Sequence, residues 1–420
     1  MNSWRISTRL LILLLVIPAV AQTATNPPFA LRDGDRVIFY GDSITAQRFY
    51  TRLVEDIVVS RYPHIRVSFY NAGVSGDTVQ GGHAGNMETR VKRDVLPWHP
   101  TVVTMMLGMN DGRYTTEYGS NAKAYEDGYR ELIAHLKATL PGVRLFLIRP
   151  SPYDEVGHSS AITGYNSVML RYGEIVSALG REENVPVVDF NQPMTAAVTR
   201  GMKIDKAIAG SLLPDRIHPS LAGHWIMAAA LAQAWSLDPI VSSVTIDVLH
   251  GKSDGEHNTF VRQLRVNGGT ISWTQLDEAL PLPFELNDPI TQFVLQVSSL
   301  GSLDQQLLTV TGLAGGSYTL YIDGRKVSSF TAEQLSQGVN LALYQTAMED
   351  QAKSIDWTAD DRSRVSGARF GLVTEKDLDR PTVEAVETLD GLDHRLIDEE
   401  YANAQPKPHN FELVPGDKER

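Results

Sequence analysis

Arg36-Val37-Ile38-Phe39-Tyr40-Gly41-Asp42-Ser43-Ile44-Thr45 decides how this chain is read. Four consecutive apolar residues ending in a small, polar turn are the pattern of a short strand buried on both faces. Just beyond it, Phe49, Leu53, Val54, Ile57 and Val58 recur at helical spacing. A strand buried on both sides and followed by a helix is the unit of a parallel sheet, since parallel neighbours need a crossover between them.

The unit recurs. Residues 67–70, 101–107, 145–148 and 185–190 read as four more strands. Helical patterns follow over residues 125–136, 165–179 and 221–235. Five strands alternating with helices imply an α/β domain: a five-stranded parallel sheet with helices on both faces. In such a sheet, function gathers at the carboxyl ends of the strands.

After Pro239 the pattern changes. Residues 244–344 carry β-rich runs and turn signals, including Asn267-Gly268-Gly269 and the hairpin signal Asp323-Gly324. The expected division is a segment at 1–21, an α/β domain at 30–240, a small β-rich domain at 241–345, and a helical segment with an acidic tail at 346–420. From Glu375 to Arg420 there are 13 acidic and 6 basic residues, so most of the chain's net charge of −12 lies in this tail. Pro406-Lys407-Pro408 is a poor stretch for regular structure, and the tail is expected to be solvated and loosely packed.

The amino terminus reads as an address. Arg5 and Arg9 precede an apolar run over residues 10–20, and Ala19-Val20-Ala21 offers a small-residue cleavage site. This is the pattern of a secretory signal peptide. The run falls short of the ~20 residues that span a bilayer. A periplasmic or extracellular protein without a stable membrane span is expected.

Composition closes other routes. The acidic balance, 50 Asp+Glu against 38 Lys+Arg, argues against a nucleic-acid partner. The chain has no Cys, so it has no disulfide framework, thiol nucleophile or thiolate metal site. There is no phosphate-binding Gly-rich loop and no Gly-x-Ser-x-Gly elbow. The His residues are scattered, His224 reads as a packing residue, and no metal or cofactor is expected.

The chemistry-bearing residues fall at strand ends. Strand one ends in Gly41-Asp42-Ser43-Ile44-Thr45, strand two in Ser75-Gly76-Asp77-Thr78, and strand three in Gly108-Met109-Asn110-Asp111. Asp215-Arg216-Ile217-His218 stands just before the last helix of the domain. A serine hydroxyl needs a base, and His218 can supply one. Asp215, three residues earlier, can bond the far imidazole nitrogen. The amides of Ser43 and Gly76 and the carboxamide of Asn110 can stabilise an oxyanion. Asp42, Asp77 and Asp111 read as holders of their loops through backbone amides. Phe49, Tyr50, Trp98, Tyr114, Tyr118 and Tyr153 are candidate mouth residues that also read as ordinary core or surface.

Together these four blocks resemble the SGNH/GDSL hydrolase family, with Ile44 in place of the leucine of its name motif. The resemblance covers residues 35–236. It implies a three-layer α/β/α sandwich of flavodoxin-like type, with Ser43 as nucleophile, His218 as base and Asp215 orienting it. Ser43, Gly76 and Asn110 would form the oxyanion hole. It implies a serine esterase acting through an acyl-enzyme. Export and a β-rich accessory domain favour short-acyl, acetyl esters of carbohydrates, so the expected partner is a small-molecule or polysaccharide ester. A lysophospholipase-like lipid acylhydrolase, an acyltransferase, and a carbohydrate-binding protein with a vestigial core are the alternatives.

Overall fold

The computed structural model describes residues 28–158, 162–375 and 379–416. The signal-peptide reading at 1–21 lies outside the described residues. Strands β1 (Arg36–Gly41), β2 (Ser68–Gly73), β3 (Val102–Met106), β4 (Arg144–Arg149) and β5 (Val187–Asp189) form one parallel sheet in the order β2-β1-β3-β4-β5. Val37, Ile38, Phe39 and Tyr40 are wholly buried, as a strand covered on both faces requires. The chain leaves β1 through α1 (Ser43–Ala46) and α2 (Phe49–Arg61), while α3 (Gly119–Thr139), α4 (Tyr165–Glu183), α5 (Asn191–Gly201) and α6 (Leu221–Ala234) follow later strands. The order reverses between β1's neighbours β2 and β3. That switch point opens a crevice at the strands' carboxyl ends.

Past Pro239 the chain builds two further sheets. β6 (Ile240–Asp247), β7 (Lys252–His257), β8 (Thr259–Asn267) and β9 (Thr270–Asp277) are followed by α7 (Pro289–Val297), β10 (Gln305–Thr311), β11 (Ser317–Ile322), β12 (Arg325–Thr331) and β13 (Val339–Asn340). The long helices α8 (Ala347–Glu375) and α9 (Arg380–Asn403) and a last strand, β14 (Pro408–Pro415), complete the chain. One sheet runs β8-β9-β14-β11-β12 and the other β13-β10-β6-β7. The expected division at residue 240 is crossed by packing. Leu282, Phe284, Phe293, Val294 and Val297 join the core of the α/β domain, not that of the β sheets.

The tail corrects the expectation of a loosely packed segment. β14 is the central strand of its sheet, antiparallel to both β9 and β11. His409, Phe411 and Leu413 face inward while Asn410 and Glu412 face out, and Phe411 stacks on Trp273 with ring centroids 5.1 Å apart. Pro408 is tolerated because it occupies the first position of the strand. The acidic residues upstream are held by arginines: Arg362 of α8 pairs with Asp393 of α9 at 3.1 Å, with Glu400 at 3.5 Å, and with Glu55 of α2. The α8–α9 hairpin thereby covers the outer face of α2 at Glu55 and Asp56, while Arg61, at the helix end, is buried against Leu303 and Asp304. Among the described residues, no helix is long and apolar enough to cross a membrane.

Candidate active site

Ser43 is the first residue of α1, directly after β1. The turn is held by Asp42, whose Oδ1 accepts the Ile44 amide at 3.0 Å. It packs tightly on the end of β2: a Cβ at Gly73 would lie 2.3 Å from the Ala46 nitrogen, so only glycine fits there. The turn after β2 places Gly76 at φ +75°, again a glycine conformation. Here the sequence blocks become one surface, because three adjacent strands end side by side.

His218 reaches Ser43 from the loop before α6. Its Nε2 lies 2.8 Å from Ser43 Oγ and its Nδ1 2.7 Å from Asp215 Oδ2. A carboxylate only accepts, so Nδ1 carries the proton and Nε2 is the acceptor for the serine hydroxyl. Asp215 Oδ1 accepts the amides of Ile217 at 2.9 Å and His218 at 2.7 Å. Arg216, at φ +74°, supplies the left-handed bend that makes this turn. Burial pulls the Asp215 carboxyl upward, but the bonds from the His218 amide, its imidazole and the Ile217 amide outweigh it and hold Asp215 below the usual range. Asp215 is 55% exposed and His218 32% exposed, so this end of the site lies open to solvent.

Asn110 stands after β3. Its Nδ2 donates to the Asp77 carbonyl at 3.0 Å, and Tyr114 donates its hydroxyl to Asn110 Oδ1 at 3.2 Å. These two bonds orient the carboxamide, with its NH2 group toward the Gly76–Asp77 turn. Asp111 Oδ1 accepts the Val79 amide at 3.0 Å and ties the third block to the second. The structure thus brings Ser43, Asp215 and His218 into one hydrogen-bonded chain and ties Asn110 to the turn that holds Gly76.

Beneath the site, three carboxyl groups are buried. Burial pushes Asp42 and Asp111 up to about 7 each. Burial also pushes Asp77 to about 6, against the pull of Arg90. Asp77 does more than hold an amide: besides the Thr78 backbone bond, its side chain forms an ion pair with Arg90, itself wholly buried and shared with Asp94 at 2.6 Å. Asp94 is a local partner, four residues on, but the pairing of Arg90 with Asp77 and the Ala72 carbonyl arises only in the folded chain.

His224 is a packing residue with a defined job. Its Nδ1 accepts the Tyr50 amide at 3.2 Å, and its Nε2 donates to Gln47 Oε1 at 3.0 Å. Burial, reinforced by nearby His218, lowers it to about 3, so it stays neutral and keeps both bonds. It links α6, which follows His218, to the connection between α1 and α2, which follows Ser43. Of the candidate mouth aromatics, Tyr50 and Tyr153 are core residues, and Trp98 stacks on Tyr70 with centroids 3.9 Å apart. Phe49 is exposed. Tyr114 touches the site through Asn110.

Known proteins resemble this chain in sequence and in fold. Residues 39–226 match the GDSL-like lipase/acylhydrolase family. An acetylxylan esterase of Geobacillus stearothermophilus is 28% identical over 221 residues, which is 47% of this chain and 92% of the relative. A GDSL esterase/lipase of Arabidopsis thaliana is 28% identical over 136 residues, which is 30% of this chain and 52% of the relative. Among solved structures, a gut microbial diltiazem-metabolizing enzyme superposes with a TM-score of 0.79 at 24% identity, covering 92% of this chain and 98% of the other. That likeness is one of fold, and it extends through the β sheets and the helical hairpin. The chain is an ester-bond hydrolase, and its residues 39–226 form a domain that matches the GDSL-like lipase/acylhydrolase family.

Proposed function

We propose that this esterase is a serine hydrolase acting through an acyl-enzyme, with short-acyl, chiefly acetyl, esters of carbohydrates as its substrates. The observation that carries the reading is the continuous chain from Ser43 Oγ through His218 to Asp215. Ser43 Oγ attacks the ester carbonyl carbon while His218 Nε2 takes its proton. Asp215 holds the imidazole and stabilises its charged form. The carbonyl oxygen becomes an oxyanion facing the amides of Ser43 and Gly76 and the free hydrogen of Asn110 Nδ2. His218 returns the proton to the leaving alcohol oxygen, the carbon–oxygen bond breaks, and water repeats the sequence to release the acid.

Two features support a small acyl group on a carbohydrate. The Asp215–His218 end of the site is open, which suits a substrate larger than the site itself. The relative matched over nearly its whole length is an acetylxylan esterase. The test is hydrolysis of p-nitrophenyl esters from acetyl to palmitoyl, and release of acetate from acetylated xylooligosaccharides, by the full protein and its Ser43→Ala variant. Turnover highest at acetyl, acetate release from the oligosaccharide, and loss of both in the variant are expected. A maximum at long chains would favour the lipid acylhydrolase reading, and an active Ser43→Ala variant would remove Ser43 from the mechanism.

A further inference from the structure

Just beyond His218 the structure holds a hollow of about 390 Å³. Leu221 and Trp225 of α6, Leu53 of α2, and Phe284 and Ile290 from the segment around α7 form its apolar lining. Phe284 is fully buried and meets Trp225 edge to face, with centroids 5.0 Å apart. Leu221 and Ile290 are 43% and 39% exposed. A buried aromatic floor beneath an open apolar rim, in this size range, is the form of a small-molecule site. Two of its walls come from a segment outside the catalytic sheet.

Its place relative to the chemistry identifies the part of the substrate it faces. In acyl transfer, the carbonyl oxygen points to the oxyanion donors, and the leaving oxygen points to the group that protonates it. Gly76 and Asn110 follow β2 and β3. The hollow begins on the other flank, at Ser220 and Leu221, two and three residues after His218. The hollow is thus joined to the site through the His218 loop, the flank from which a leaving group is protonated. Its charged neighbours are already engaged: Arg52 with Asp356 and Asp360, Asp288 with Thr291, and Glu285 with Lys353. A neutral group fits this lining better than an ion.

We propose that the hollow holds a neutral apolar group, an alkyl or aryl ring, carried on the alcohol half of the ester. The inference rests on the Ser43–His218 reading above. The enzyme then selects esters of amphipathic alcohols, polar next to the ester and apolar beyond it. When the acyl carbon–oxygen bond breaks, the alcohol oxygen takes its proton from His218, and the apolar group leaves from the hollow.

Acetate esters with alcohols of similar basicity test this: ethyl, benzyl and 2-naphthylmethyl acetate, with the full-length protein. The wild type should show kcat/KM rising by about tenfold or more from ethyl to 2-naphthylmethyl. Ile290→Asp and Leu221→Asp should each reduce that ratio by about tenfold, mainly through KM, with an unchanged thermal midpoint. Free 2-naphthylmethanol should inhibit the wild type competitively, a readout that needs no variant. A flat ratio in the wild type together with no inhibition overturns the proposal, as does a ratio that both folded variants keep. Ser43→Ala is assayed alongside: if it still hydrolyses all three esters, the reading of the catalytic serine has failed. A serine-dependent but flat series fails only the hollow.

Discussion

Arg52 Nη1 of α2 lies 2.7 Å from Asp360 Oδ1 of α8, residues 308 positions apart in the chain. The bond fastens the C-terminal hairpin to the helix that follows the nucleophile turn. Arg48, between α1 and α2, adds a second link by donating to Ser366 Oγ at 3.1 Å. The hairpin is therefore part of the body that carries Ser43.

Removing residues 347–420 should abolish cooperative folding. The cut takes β14 from between β9 and β11, and it uncovers Glu55 and Asp56 on α2. A truncated protein that stays soluble and melts with the wild-type midpoint by circular dichroism would show that the hairpin is dispensable.

Arg362 gives a finer test of the same interface. It is the shared cation for Glu55, Asp393 and Glu400, all buried. Removing one partner of a buried ion pair leaves charge without compensation and costs about 3–5 kcal/mol. Arg362→Met should lower the unfolding free energy by that order in a urea titration. A loss below about 1 kcal/mol, the size expected of a surface pair, would mean that the carboxyl groups are relieved by other means.

These tests mark the line between what the residues announced and what only the fold creates. Val37 to Tyr40 announced β1 because a strand buried on both faces must be apolar throughout. Ser43, Gly76, Asn110 and the Asp215–His218 turn were legible because each stands at the end of its own local element. Glu55 and Asp56 of α2 carried no sign of burial, because it depends on a hairpin about 300 residues away. In β14, the alternation of His409, Phe411 and Leu413 was present, but the neighbouring prolines and acidic residues masked it. The Arg90–Asp77 pair and the Gln47–His224 bond had no local signature at all.

Ser43→Ala and His218→Asn should each lower kcat by about 10³-fold or more, with little change in thermal midpoint. Members of a serine–histidine–carboxylate set act as a unit, so either loss removes most of the acceleration. Initial rates with p-nitrophenyl acetate, beside melting curves, decide this. A rate within about tenfold of wild type for either folded variant would contradict the assigned roles.

Asn110→Ala should reduce kcat by about 10²–10³-fold with a smaller effect on KM, as the loss of one oxyanion donor does. Tyr114→Phe removes only the hydroxyl that orients Asn110, so its loss should be smaller and in the same parameter. If Tyr114→Phe matched Asn110→Ala, Tyr114 would be touching the substrate itself.

The Asp42 carboxyl should make the site turn sensitive to pH. Its pKa is about 7 in the folded protein, raised by burial from an ordinary value of 3.8. Between those values the folded state binds more protons than the unfolded state, so this group's contribution to stability falls as pH rises from 4 to 7 and is level above. Asp42→Asn keeps an oxygen to accept the Ile44 amide and removes the ionisation. The variant should therefore gain stability relative to wild type across that interval, by a few kcal/mol at most. Asp111 and Asp77, buried nearby, will take up part of the response, because removing one charge eases ionisation of the others. Paired urea titrations at pH 4.5, 6 and 7.5 measure the difference. A wild-type-minus-variant gap that is constant over the three would mean that Asp42 is ionised in the folded protein throughout.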